Sequence, residues 1–289
     1  MVVHLINFPW AGGTSALFKE WEDTNSQSSV ANAFNNEIMN LKVSTGHSLE
    51  NGTSSFRIHS VNYPGRLLRQ GDPRLTNMSL LADTLVCEIL SIIKIKDQAK
   101  SCQKKRDRIE ECQHTRQKEE IITSNMPVAK DDLVDHHRRH IVLFGHSFGA
   151  IVAFEVAQRL EARQCSVLAL FVSASRPPSA LSLVSSNVPI SEMSIKEMQN
   201  YFKNRGNAID LNILANSEMA ELFLDSTRLD YRCLESYEAH NGTVQCPIFA
   251  FGGELDPGVS KDHVKNWGTH TSSCDQNAFN FEIFQSQGK

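Results

Sequence analysis

The sequence predicts an α/β protein: a mostly parallel β-sheet covered by helices on both faces. Three observations carry this. Six short apolar runs, bounded by glycine, proline or polar turns, recur along the 289 residues. They are continuous rather than alternating, as strands buried on both faces are. Helical patterns lie between several of them, which is the alternation that gives parallel strands joined by crossovers.

In chain order, the first strand is VVHLINF (2–8) and the second FRIHSVNY (56–63). Between them residues 22–54, rich in Ser, Asn, Thr and Gly, carry only a short apolar cluster at Phe34, Ile38 and Leu41. Leu81, Leu85, Ile89 and Ile92 then recur at helical spacing, with Asp83 and Glu88 on other faces. Residues 94–139 include KIKDQAKSCQKKRDRIEECQHTRQKEE, charged on every face if helical. Both stretches read as solvated, flexible insertions in a single domain spanning 1–289. HIVLFG (140–145) is the third strand, and AIVAFEVAQRL (150–160) a helix apolar nearly all round, hence buried on the sheet. SVLALFVSA (166–174), CPIFAFGG (246–253) and NFEIF (280–284) complete the strand set.

Residues 176–245 form a separate helical section. SIKE at 194–197 is a capping box, in which Ser194 and Glu197 satisfy each other's backbone N–H groups. Gly206 is placed to end that helix. A second helical pattern runs through Leu222, Phe223, Leu229, Leu234 and Tyr237. Two readings stay open here: a helical pair packed on the main core, or a lid whose apolar side forms a channel.

Composition excludes several classes. A net charge of −4, with 40% hydrophobic and 21% charged residues, gives no reason to expect nucleic acid or a membrane surface as partner. KKRDR is diluted by acidic neighbours, and HHRRH, with His136 and His140 four apart, reads as a polar turn rather than a metal site. No stretch of apolar residues is long enough to span a bilayer. Seven cysteines without a CxxC pair point to reduced thiols and a cytoplasmic location.

The chemistry concentrates in GHSFG, a G-x-S-x-G turn between the third strand and its helix. Gly145 and Gly149 permit a tight fold in which larger side chains would collide. Ser147 is lifted above the sheet at the positive end of the helix, and the Phe148 N–H points at the oxyanion of a tetrahedral intermediate. A serine at its ordinary pKa needs a base, and the base needs an acid. GGELDP supplies Asp256 just past an apolar strand, with Glu254 as the neighbouring alternative and an ordinary Asp-Pro turn as the bland one. NFPWAGG, ending strand one, is the loop from which a second oxyanion donor would come.

FPWAGG (8–13), YPGR (63–66), GHSFGA (145–150) and GGELDP (252–257), supported by LFKEW, SASRPP and LDYRCLESY, together resemble the type II thioesterases. These include the medium-chain thioesterases of fatty acid synthesis and the editing thioesterases of polyketide and nonribosomal peptide assembly. The resemblance implies an α/β-hydrolase fold, hydrolysis of thioesters on an acyl carrier protein or coenzyme A, and no cofactor or metal. It assigns Ser147 as nucleophile, Asp256 as triad acid, Ala11 and Phe148 as oxyanion donors, and 176–245 as the lid over the acyl site. Arg66 takes no catalytic role and is expected in a structural salt bridge.

One departure matters. The family's histidine follows the last strand, and here NFEIF is followed only by QSQGK. Of eleven histidines only His263 and His270 follow Asp256, and both precede that strand. Three explanations compete: a thioesterase sequence cut short before its histidine, a noncatalytic module binding an acyl group or carrier protein, and a serine esterase or lipase. The expectation is a monomeric thioesterase partnered by a fatty acid, polyketide or nonribosomal peptide synthase.

Overall fold

A computed structural model of the chain describes residues 2–22, 55–93, 140–181, 188–204, 217–238, 240–274 and 277–285. Six strands form one sheet: β1 Val2–Phe8, β2 Ser55–Ser60, β3 His140–His146, β4 Ser166–Ser173, β5 Ile248–Gly253 and β6 Phe279–Phe284. Their order is β2-β1-β3-β4-β5-β6, and every neighbouring pair is parallel. Each apolar run of the sequence is thus a strand. β3, in the middle, is buried from Ile141 to Gly145, which is why its sequence is apolar without alternation.

The order fixes where a ligand can bind. The chain leaves β1 toward β2 on one side and continues from β3 toward β6 on the other. At the carboxyl ends of β1 and β3 the connections therefore diverge and leave a crevice, the usual ligand position in open α/β sheets.

One face of the sheet carries α1 (Met78–Ile92) and α2 (Phe148–Glu161). Leu81, Leu85 and Ile89 of α1 share a core with Ile151 and Phe154 of α2 and with Leu143, Leu170 and Ile248 of the sheet. On the other face Phe18 and Trp21, from a short helical turn after β1, pack on Val3, Leu5, Val142 and Phe144. Helix α3 (Ile195–Asn204) opens with the expected capping box: Glu197 N–H donates to Ser194 Oγ at 3.3 Å and Ser194 N–H to Glu197 Oε2 at 2.8 Å. Met198 and Phe202 of α3 form a satellite core with Leu224 of α4 (Ser217–Glu235). The carboxyl half of α4 joins the main core through Cys233 and Leu234. A last short helix, α5 (Lys261–Asn266), adds Val264, and Trp267 beyond it is buried.

Apart from Glu22, the insertions expected at 22–54 and 94–139 lie outside the described residues, as do Gly206 and His136. Cys165, Cys233, Cys246 and Cys274 are free thiols, but Cys87 is disulfide-bonded, which departs from the expectation of a fully reduced set. No helix among the described residues is long and apolar enough to cross a membrane.

The end of the α4 segment is tied to α2 by a buried carboxylate. Glu155 accepts from Tyr237 Oη at 2.7 Å, His240 Nε2 at 2.9 Å and Arg159 Nη1 at 2.6 Å. Burial pushes the Glu155 carboxyl up, but these donors outweigh it and hold it below the ordinary carboxylate value. A depressed carboxylate contributes stability above its unfolded-state pKa of about 4.3, and that contribution is lost as pH falls through the lower folded value. Glu155→Gln is therefore expected to be less stable than the parent at neutral pH. The gap should narrow on acidification, as read by urea unfolding across that range.

Candidate active site

The crevice between β1 and β3 holds the residues that the sequence singles out. β3 ends at His146 and α2 begins at Phe148, so the chain reverses within Ser147, at φ +53° and ψ −118°. A side chain in such a conformation costs on the order of 1–3 kcal/mol, so the surroundings must impose it. Ser147 N–H donates to Ser173 O at 2.8 Å, and Ser147 O accepts from Ala150 N–H at 3.0 Å. The glycines act as expected. A Cβ on Gly145 would stand 2.2 Å from Gly149 O, and one on Gly149 would stand 2.2 Å from Phe8 O. Phe148 N–H heads a 14-residue helix, where no carbonyl four residues back exists to accept it. It is free to bind a developing anion, with the helix dipole in support.

The same contact of Gly149 brings the loop after β1 against the elbow, since Pro9 O lies 2.5 Å from the position of that absent Cβ. Trp10 packs edge-on against His146, ring centroids 5.5 Å apart. The loop is held at both ends. Tyr63 Oη donates to Pro9 O at 2.8 Å, and Gly12 N–H donates to Asp230 Oδ2 at 2.8 Å. Ala11, half-buried, lies between these anchors.

Asp256 lies in the turn after β5 and is half-buried, whereas Glu254 is exposed. Its Oδ1 accepts from Gly258 N–H at 2.8 Å and Val259 N–H at 3.1 Å, so the turn chemistry that the Asp-Pro pair suggests is present. Its charge also reaches His146 at the end of β3: burial lowers the His146 pKa, and the charge of Asp256 opposes that shift. Both features hold together, one oxygen shaping the turn while the charge acts on the site.

The two histidines that follow Asp256 are turned elsewhere. His263 Nδ1 accepts from Ser260 N–H at 3.1 Å and caps α5. His270 is fully buried, with Nδ1 at 2.8 Å from Gly242 O and Nε2 at 2.9 Å from Ser179 Oγ. His146 has Ser173 Oγ at 3.1 Å from Nδ1, and His240 serves Glu155. β6 ends beside the acid's turn, where Glu254 N–H donates to Phe284 O at 3.0 Å.

Sequence reasoning missed Asp230. It is fully buried on α4, its Oδ1 3.0 Å from Arg66 Nε, so Arg66 does sit in a buried salt bridge. The available signal was a carboxylate three residues from Thr227 and from Cys233, on the inward stripe of an amphipathic helix.

A family model described as Thioesterase domain matches residues 131–284, which include the elbow and Asp256. This chain belongs to that family. Among its relatives, phenyloxazoline synthase MbtB of Mycobacterium tuberculosis is 31% identical over 143 residues, 47% of this chain but only 9% of the synthase. The gramicidin S biosynthesis protein GrsT of Aneurinibacillus migulanus is 23% identical over 292 residues, covering 99% of this chain and 84% of that protein. Among solved structures, RedJ, a thioesterase of the prodiginine pathway in Streptomyces coelicolor, superposes with a TM-score of 0.61 at 23% identity, over 98% of this chain and 82% of that one. The likeness establishes the shared α/β-hydrolase fold.

The closeness of the backbones makes one substitution diagnostic. Gly149→Ala is expected to destabilise the protein by at least roughly 1–3 kcal/mol, the usual cost of overpacking, because backbone cannot swing aside. Gly71→Ala, whose added Cβ meets nothing within 4 Å, is the near-neutral control in the same urea titration.

Proposed function

We propose that this chain hydrolyses acyl thioesters through an acyl-enzyme on Ser147. The observation that carries the reading is the juxtaposition of Ser147, at the head of α2, with the Phe148 N–H on one side and the Ala11 loop on the other. Ser147 Oγ attacks the thioester carbonyl, its proton passes to a base, and the oxyanion is held by the Ala11 and Phe148 N–H groups. Collapse expels the thiol, which is a better leaving group than an alcohol because its pKa is about 8.5. Water then releases the acid by the same steps. Asp256 is the acid that would orient the base. Its half-burial and the electrostatic reach of its carboxylate to the elbow favour it over Glu254.

The base itself is none of His146, His240, His263 and His270, whose rings serve other partners. The family resemblance puts an imidazole just after the last strand, and β6 ends beside the turn of Asp256. The substrate class follows from relatives named for gramicidin S biosynthesis and for the prodiginine pathway. We therefore place the substrate on a carrier protein of polyketide or nonribosomal peptide assembly rather than of fatty acid synthesis. The α3–α4 segment within 176–245 is proposed as the lid, held together by its own satellite core of Met198, Phe202 and Leu224. A monomer in the cytoplasm belongs to the same reading.

A second reading has an observation of its own: His146, His240, His263 and His270 all hydrogen-bond to groups other than Ser147. A noncatalytic domain that binds an acyl carrier would look the same. Hydrolysis of an acyl-carrier-protein thioester and of medium-chain acyl-CoA, beside Ser147→Ala, separates the two. The thioesterase reading expects turnover that falls by a factor on the order of 1,000 or more in the variant. Binding of the acylated carrier with no Ser147-dependent turnover would overturn it in favour of the binding domain, and faster cleavage of an oxygen ester would reassign the substrate.

A further inference from the structure

A buried ion pair lies directly behind the loop that carries Ala11. Asp230 divides its carboxylate: Oδ1 takes Arg66 Nε at 3.0 Å and Oδ2 takes the Gly12 N–H at 2.8 Å. Arg66 is itself fixed, donating through Nη1 to Pro64 O at 2.7 Å and reaching Cys233 Sγ at 3.7 Å through Nη2. Both side chains are buried, at 3% and 0% exposure.

Stability is a poor reason for such a pair. Removing two charges from water is costly, and apolar replacements of buried pairs are often neutral or stabilising. What the pair does that an apolar contact could not is hold a backbone N–H. Gly12, at φ +77°, is pressed onto α4: a Cβ there would lie 2.3 Å from Thr227 Oγ1 and 2.9 Å from Phe223. Thr227 Oγ1 gives its proton to Phe223 O at 2.8 Å, and the Gly12 N–H goes to Asp230 Oδ2 instead. On the other side of Ala11, two residues back, Pro9 is clamped by the elbow and by Tyr63. Ala11 is thus suspended between two fixed points, and the orientation of its N–H depends on both.

We propose that Arg66 and Asp230 are positioning residues: through the Gly12 amide they set the direction of the Ala11 N–H toward the oxyanion formed at Ser147. This rests on the roles proposed above for Ser147 and Ala11. Asp230 belongs to α4, so the helix that would form part of the lid is tied directly to the loop that carries Ala11. Burial pushes the Asp230 carboxyl up to about 6 against the pull of Arg66 and of the Gly12 N–H, so at neutral pH the acceptor is the charged form, the stronger one.

The test uses the full chain and two variants. Asp230→Asn is isosteric but leaves one acceptor oxygen for two donors. The double variant Arg66→Met/Asp230→Leu leaves no buried charge and decides the matter if the first does not fold. Hydrogen exchange of the segment 8–14, followed by mass spectrometry, is expected to quicken by at least about tenfold, equivalent to about 1.4 kcal/mol. Octylboronic acid, which forms a tetrahedral adduct with a serine, should bind roughly 100-fold more weakly, as misplacement by about 1 Å can cause. Octanoate, which needs no oxyanion donor, should bind as in the parent. Unchanged exchange at 8–14 in both variants overturns the proposal. Faster exchange with unchanged boronate affinity overturns it too, reducing the pair to a structural one. If the parent binds the boronate equally well as Ser147→Ala, the reading of Ser147 itself fails, an outcome recognised without the Asp230 variants.

Discussion

The site depends on the close approach of three backbones at Gly149. The carbonyls of Phe8 and Pro9, the first turn of α2 and the end of β3 meet where a single methyl group would not fit. That contact accompanies the reversal at Ser147 and brings the loop after β1 alongside it. β1 and β3 are adjacent and their connections run opposite ways, which is where open α/β sheets bind ligands. The sheet order and the glycine spacing therefore achieve together what neither could alone.

Much of this was readable in the amino-acid order because it rests on local or strongly patterned physics. Six buried parallel strands leave six apolar runs, and a strand-to-helix reversal needs glycines on both sides of its apex. The capping box of Ser194 and Glu197 is written within four residues. What escaped the sequence involves pairs distant along the chain. Arg66 and Asp230 lie 164 residues apart, and no periodicity announces that a carboxylate on an amphipathic helix will meet a backbone amide. The turn role and the electrostatic role of Asp256 could be weighed but not combined, since only the fold shows that one oxygen binds the turn while the charge acts on the elbow. His263 and His270 could be suspected from chain order alone. Their dispositions, as a helix cap and as a buried link between Gly242 and Ser179, follow from packing that chain order does not record.

The section between β4 and β5 serves two ends at once. One part, around Met198, Phe202 and Leu224, keeps a core of its own. Another part is bound to the main body by charged and polar contacts at two places, Arg66–Asp230 behind the loop after β1 and the cluster around Glu155 on α2. Polar anchoring of this kind fixes direction more than it adds stability, because its strength lies in geometry.

The left-handed backbone of Ser147 bears on what the chain is for. Glycine would adopt φ +53° with little penalty, so a side chain at this apex is a standing burden on the fold, on the order of 1 kcal/mol or more. What the chain gains for that burden is a hydroxyl, rather than bare backbone, at the head of α2.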